Sequence, residues 1–302
     1  MDWAFDEANR DAEVEAVDLP EYVGLRTAFK FVCPAEICRC LLNHAIPEKR
    51  VPYFRTWPGH NHHPDCDIDG AQKLVSKARR ERLDTRDEKN FAACPARLVL
   101  KVHREVVDSE AAVSGSAGRT KAARDHQGDG ESQSSGNSRR TVGTIRHICR
   151  AFLNYPHNRD QSLSIPGIDG HSYLSAFKKI PWEGLGQYPS RKIFYAPLHW
   201  SKFKVDENSI EISLDAGLRE NKKLIDGHKV IVDWSDWSKA KRTVLQKELE
   251  GRLEEAKEAA GTKKKAWLFF IGEQDSADRR YFRVDDSRLI CCFVDELIWV
   301  SY

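Results

Sequence analysis

The sequence predicts an α+β protein. A small N-terminal hairpin-and-helix module is followed by a disordered linker and a β-rich α+β C-terminal domain curled toward a small barrel. Three observations predict this. Cysteine and histidine crowd into "CPAEICRC" (Cys33–Cys40) and "HNHHPDCDIDG" (His60–Gly70), which flank what reads as one hairpin. The segment "SGSAGRTKAARDHQGDGESQSSGNSRR" (Ser114–Arg140) is rich in Gly, Ser and charge and almost free of large apolar side chains. It cannot bury enough area to offset the entropy of ordering. Beyond it, strands and helices follow one another without regular βαβ alternation, which argues against a doubly wound sheet. A chain of 302 residues has room for two domains.

The elements follow in order. Residues 1–21 hold Asp2, Asp6, Glu7, Asp11, Glu13, Glu15, Asp18 and Glu21 against the single base Arg10, and read as an acidic disordered tail. The module spans 22–108, where the charge balance turns basic. In it "AFKFVCP" reads as a strand and "RVPYFRTW" as a second strand, broken at Pro52. "IDGAQKLVSKARRERL" (Ile68–Leu83) reads as a helix with Leu74, Val75, Ala78 and Leu83 inward and Lys73, Lys77, Arg79, Arg80 and Arg82 on the opposite face. "ARLVLKVHREVV" closes the module as a strand, and the linker runs over 109–140.

The domain over 141–302 opens with a helix, Thr141–Tyr155, whose Val142, Ile145, Ile148, Cys149, Phe152 and Leu153 keep helical spacing. A short helix fits "HSYLSAFKKI". "KIFYAPLHWSKFKVDENSIEISLDA" reads as a hairpin turning at Asp206–Asn208, with Ile210, Ile212 and Leu214 on its buried face. "HKVIVDW" is a strand, and "DWSKAKRTVLQKELEGRLEEAKEAAG" is a helix capped near Ser235 or Asp236 and stopped by Gly261. "AWLFFIG", "RYFRV" and "RLICCFVDELIWV" supply the last strands. The six aromatics Trp182, Tyr195, Trp200, Trp234, Trp237 and Trp299 are expected mainly in the core.

No segment approaches the ~20 apolar residues needed to cross a bilayer. The start of the chain has no basic, apolar and small-residue sequence of a secretory signal, so a cytoplasmic location is expected, with no membrane partner. In that reducing compartment eight cysteines are not a disulfide framework. Cys94, Cys149, Cys291 and Cys292 read as core residues, and the clustered ones as metal ligands. Zinc takes four Cys or His ligands in a tetrahedron. Cys33 and Cys38 supply a first pair, with Cys40 as a competitor. His62 and Cys66, at three-residue spacing, supply a second, with His60 and His63 as competitors.

The stretch "FVCPAEIC…KRVPYFRTWPGHNHHPDC" resembles the zinc-binding N-terminal region of competence-protein CoiA-like proteins. These carry a Cys pair, a basic-aromatic stretch like "PYFR", and a His-x3-Cys pair. The resemblance covers roughly forty residues and implies Cys33, Cys38, His62 and Cys66 as ligands of Zn2+. The family's Cys-x2-Cys is Cys-x4-Cys here. Longer members of the family carry a nuclease domain, but no acid-acid-lysine arrangement is found after the linker, so nuclease activity is not implied. A bacterial mobile-element or DNA-defence setting suits the resemblance.

A closed site with thiolate ligands is the usual structural form of zinc, so a non-catalytic role is expected. The basic residues around it, Arg50, Arg55, Lys73, Lys77 and Arg80, suit a phosphate backbone. Tyr53, Phe54 and Trp57 interleave with them. Phe54 and Trp57 are expected to form the small core over the metal. The expectation is a structural-zinc protein that binds nucleic acid, DNA first. The alternatives are a protein–protein adaptor and a metal-dependent nuclease built on the His60–Asp69 cluster.

Overall fold

The computed structural model describes residues 1, 3–8, 13–22, 29–35, 37–47, 51–64, 66, 74–83, 94–100 and 141–300. It is mixed α+β, mostly sheet with few helices, as the sequence predicts. The linker expected over 109–140 lies outside the described residues.

The first sheet is antiparallel. It contains β1 (Trp3–Asp6), β2 (Glu13–Glu15), β3 (Phe31–Val32), β4 (Leu41–Ala45) and β5 (Tyr53–Thr56), in the order β2-β1-β3-β4-β5. Met1, just ahead of β1, bonds to β5: its amino group donates to the Phe54 carbonyl at 2.9 Å and its carbonyl accepts from the Phe54 N–H at 2.8 Å. A short α1 (Leu19–Tyr22) follows β2. The core of this sheet is small: Ala4, Val14, Ala16, Leu19, Phe31, Leu42 and Phe54, together with Cys33 and Cys66.

The described part of the acidic segment expected over 1–21, residues 3–8 and 13–21, is therefore not a disordered tail. Its composition is acidic, but Ala4, Val14, Ala16 and Leu19 give it an apolar face that the sheet buries. Glu15, buried itself, accepts from the Thr144 hydroxyl, lies 3.3 Å from Arg146 Nε and 3.4 Å from His147 Nε2. Distant cations thus take up a charge that, by composition alone, argued for solvent.

The second core is much larger and begins before the linker. Residues 74–78 are helical and lead into a turn. Ala78, Leu83 and Leu98 are buried in this core, with Leu74 and Val75 packed against it. Of the helix expected over Ile68–Leu83, the first six residues lie outside the described set. β6 (Arg97–Leu98) pairs in parallel with β7 (Thr141–Val142), joining the two sides of the linker directly. The helix expected from Thr141 begins only at α2 (Ile145–Asn154), because Thr141 and Val142 are held in that ladder.

After α2 come α3 (Tyr173–Ala176), β8 (Phe177–Lys179) and β9 (Ile193–Pro197). α3 starts with a capping box between Ser172 and Ser175. β10 (Lys204–Val205) and β11 (Ser209–Glu220) form the hairpin that turns at residues 206–208, with Ile210, Ile212 and Leu214 buried. β12 (Lys223–Asp233) precedes α4 (Lys239–Glu258), and β13 (Lys265–Ile271), β14 (Glu273–Gln274), β15 (Tyr281–Val284) and β16 (Ile290–Asp295) complete the chain. The cap of α4 is Ser238, whose hydroxyl accepts from the Lys241 N–H at 3.3 Å. Ser235 is already committed to the Asp233 carboxylate at 3.0 Å.

Two sheets result, β16-β13-β9-β8 and β10-β11-β12-β15-β14. β9, expected as an arm of the hairpin, lies instead inside the first of these, every residue buried. The two sheets are linked at the bridge Leu198–Leu214 and share one core, in which Phe194 of β9 and Phe270 of β13 meet Phe282 of β15 with ring centroids 5.0 and 5.3 Å apart. α2 and α4 cover β16. Between them Glu248 of α4, 3% exposed, accepts two bonds from Arg146 at 2.9 and 2.6 Å and one from the Cys292 N–H at 3.0 Å. No helix among the described residues is long and apolar enough to cross a membrane.

Candidate metal centre

Two turns of the first sheet build the site. β3 ends at Val32 and Cys33 follows, fully buried. The chain then folds tightly: the N–H groups of Cys38 and Arg39 donate to the Ala35 carbonyl at 3.0 and 3.1 Å, and the Cys33 N–H donates to the Cys40 carbonyl at 2.9 Å. Arg39 takes the left-handed conformation, φ 45°, uncommon for a residue with a Cβ. Its guanidinium lies 5.1 Å from the Phe5 ring centroid, which ties the turn to β1. The second turn follows β5. The Trp57 N–H donates to the Leu41 carbonyl at 3.1 Å, His60 closes back on Trp57 at 2.9 Å, and Cys66 on His63 at 2.8 Å.

These turns bring the sulfurs of Cys33, Cys38 and Cys66 and a ring nitrogen of His62 within 4.8 Å of one another. It is the only such Cys/His/carboxylate group among the described residues. Cys33 Sγ and Cys66 Sγ are 3.7 Å apart, and His62 Nδ1 is 3.3 Å from Cys38 Sγ and 3.5 Å from Cys66 Sγ. A tetrahedral ion with bonds of about 2.3 Å to sulfur and about 2.0 Å to nitrogen has S–S edges of about 3.7 Å and S–N edges of about 3.5 Å. The observed separations are close to those edges. No disulfide joins the four cysteines of the cluster, since one would bring two sulfurs to about 2.0 Å. The group can hold a metal ion.

The thiols are poised unequally. Burial pushes the Cys33 thiol well above its ordinary range, and the neighbouring Cys38 and Cys66 push the same way. Burial also raises Cys40, to about 12, helped by Cys38. At Cys38 burial pushes upward too, but the N–H groups of His63 and Cys40 and the His62 ring outweigh it and hold the thiol at about 6. A cation inside the cage supplies the charge that buried thiolates lack.

The four expected ligands are thus brought together. His60 and His63 are exposed and outside the group, though the His63 N–H donates to Cys38 Sγ at 3.3 Å. Cys40 is different: its sulfur lies 3.3 Å from His62 Nδ1. The aspartates of the cluster, Asp65, Asp67 and Asp69, lie outside the described residues, as do Arg50 and Lys73.

Of the expected nucleic-acid contacts, Arg55 is exposed on β5. Lys77 is exposed on the helical residues beside the second core, and Arg80 on the turn that follows them. Arg79 leaves that basic face to pair with Asp295. Phe54 is buried as expected, but Trp57 is not: it is 50% exposed, and Tyr53 is 40% exposed. The signal was the period of two through Tyr53, Phe54, Arg55, Thr56 and Trp57, which puts Phe54 on one face and Tyr53, Arg55 and Trp57 on the other. In the second core Tyr195 and Trp234 are buried, while Trp182, Trp200 and Trp299 are exposed. No family model, curated protein or solved structure matches this chain.

Proposed function

We propose that this is a structural-zinc protein that binds nucleic acid, DNA first, without cleaving it. The observation that carries the reading is the solvent face of β5. Tyr53, Arg55 and Trp57 stand side by side there, immediately before the turn that supplies His62 and Cys66. Three thiolates and an imidazole favour zinc, and a closed set of four donors leaves no position for an activated water. In a reducing cytoplasm the thiols stay available to the metal. The ligand pattern resembles that of CoiA-like proteins. The metal fixes the turn after β5 and so holds Trp57 outward.

Two aromatic rings with an arginine between them suit unpaired bases and the phosphates that join them. Stacking on such rings contributes about 1–3 kcal/mol per base. Lys77 and Arg80 add phosphate contacts from the neighbouring unit.

The test is a fluorescence and gel-shift titration with single-stranded DNA, duplex DNA and single-stranded RNA over a salt series. We expect tightest binding to single-stranded DNA, with log K falling linearly against log salt at about 0.7 per phosphate contacted. Trp57→Ala should weaken binding by roughly 5- to 150-fold. Salt-independent binding, or full affinity in Trp57→Ala with its metal retained, would refute the reading. A partner that survives nuclease treatment would point to a protein adaptor instead.

A further inference from the structure

The cluster holds more donors than a tetrahedral ion can use. His62 Nδ1 touches three sulfurs: Cys38 and Cys40, both at 3.3 Å, and Cys66 at 3.5 Å. Cys40 stands outside the group of four whose donor atoms are all mutually close. It nevertheless lies as near the imidazole nitrogen as the ligand Cys38 does.

The backbone explains how two cysteines two residues apart reach one atom. In an extended chain such side chains share a face but sit about 7 Å apart. The left-handed Arg39 between them curls the chain, and the bond from Cys33 N–H to the Cys40 carbonyl pins the far end of the turn beside the first ligand. Cys40 is thus carried to the cage by the same turn that carries Cys33 and Cys38. Cys40 is half-buried and immediately precedes β4, so a change of side-chain rotamer is the smallest movement that would carry its sulfur toward the ion.

We propose that Cys40 is a reserve metal ligand, able to take the place of His62 and convert a three-sulfur, one-nitrogen site into a four-sulfur site. The inference rests on the metal centre assigned above. Zinc accepts both sets, since three cysteines with one histidine and four cysteines are both common structural forms. The exchange leaves the ion's charge balanced by one thiolate more: the Cys40 thiol loses its proton to solvent, and the imidazole departs neutral. No redox step is involved. The set with His62 is the resting one, because its four donor atoms all lie within 4.8 Å of one another and Cys40 stands outside that group.

The two sets have different consequences for the surface. Cys33, Cys38 and Cys40 all belong to the turn after β3, so the four-sulfur set keeps only Cys66 as a ligand from the second turn. The stretch of chain from Trp57 to His63 is then no longer tied to the metal through His62. Exchange would loosen the segment that follows the Tyr53–Arg55–Trp57 face without discharging the ion.

The test uses the full chain as wild type, His62→Ala, Cys40→Ser and the double variant, each loaded with zinc or with cobalt(II) as a spectroscopic substitute. Metal content is measured after gel filtration, and the thiolate-to-cobalt charge-transfer band reports how many sulfurs are bound. One equivalent should be retained by wild type and by both single variants. The band should be stronger in His62→Ala than in wild type, and the double variant should lose its metal. Loss of metal from His62→Ala as complete as from the double variant overturns the proposal, whether or not the module then unfolds.

Alkylation of zinc-loaded His62→Ala before and after EDTA, mapped by mass spectrometry, gives a second measurement. Cys40 should be protected together with Cys33, Cys38 and Cys66 before chelation and react after it. Equal reaction of Cys40 before and after chelation would mean that it is no ligand. A wild type that binds no zinc or cobalt at all would overturn the metal centre itself, a different result from loss in His62→Ala alone.

Discussion

Chelation should unfold the first sheet and spare the second core. The core beside the Cys/His cluster contains five large apolar side chains, Val14, Leu19, Phe31, Leu42 and Phe54. At about 1.5–3 kcal/mol for each fully buried side chain they contribute roughly 8–15 kcal/mol. A structural zinc contributes about 10–16 kcal/mol. The two contributions are of the same size, so stripping the metal removes about half of the favourable energy of a module that is small to begin with. It also leaves two ligand sulfurs, Cys33 and Cys66, inside that core without a partner cation. The second core shares no residue with the first and contains none of the ligands.

Hydrogen exchange read by mass spectrometry, with and without EDTA, measures this directly. In chelator the amides that bind across the site, Cys33 to Cys40 and Trp57 to Leu41, should exchange as freely as unfolded chain. Amides in β9, β13 and β16 should keep their protection. Two results would refute the reasoning. One is unchanged protection of β3–β5 in protein shown to be metal-free. The other is loss of protection in β9, β13 and β16 at the same chelator concentration.

Glu248→Ala should destabilise the second core by about 3–5 kcal/mol, because it leaves the buried Arg146 short of its two-bonded carboxylate and the Cys292 N–H without an acceptor; a lower denaturant midpoint with unchanged metal content checks it. Acid should undock the first sheet before it affects the second core. Burial pushes the Glu15 carboxyl up, but bonds and charge from His147 and the Arg146 charge outweigh it and hold it at about 2, against an ordinary 4.5. The stability it contributes is therefore present above about pH 4.5 and is lost as the pH falls through about 2, which exchange at residues 13–16 as a function of pH would follow. Gly217→Ala should lower the melting temperature, since a Cβ there would lie 2.2 Å from the Asp226 carbonyl oxygen across the β11–β12 ladder; strain of about 1–3 kcal/mol is expected, and calorimetry measures it.

Much of this was legible in the residues alone because it depends on short-range pattern. The two candidate pairs, Cys33 with Cys38 and His62 with Cys66, were readable from spacing with Cys40, His60 and His63 as competitors, since a cage of this kind is built from two turns and each turn carries its own pair; the resemblance chose among them. The α+β class followed from periods of two and of 3.6, and the buried face of β11 from the alternation at Ile210, Ile212 and Leu214. What tertiary structure decided is what depends on partners distant in the chain. Glu15 reads as part of an acidic tail until Arg146 and His147, more than a hundred residues later, meet it. The helical residues 74–78 read as part of the metal module until Ala78 and Leu83 enter the other core. Trp57 reads as core because a small module needs large side chains; the register of β5 meets that need with Phe54 and leaves Trp57 in solvent. The sequence could name Cys40 as a competitor, but only the left-handed turn at Arg39 sets its sulfur beside the imidazole. Local periodicity and spacing are written into neighbouring residues. Burial and charge pairing depend on which surfaces the folded chain presses together.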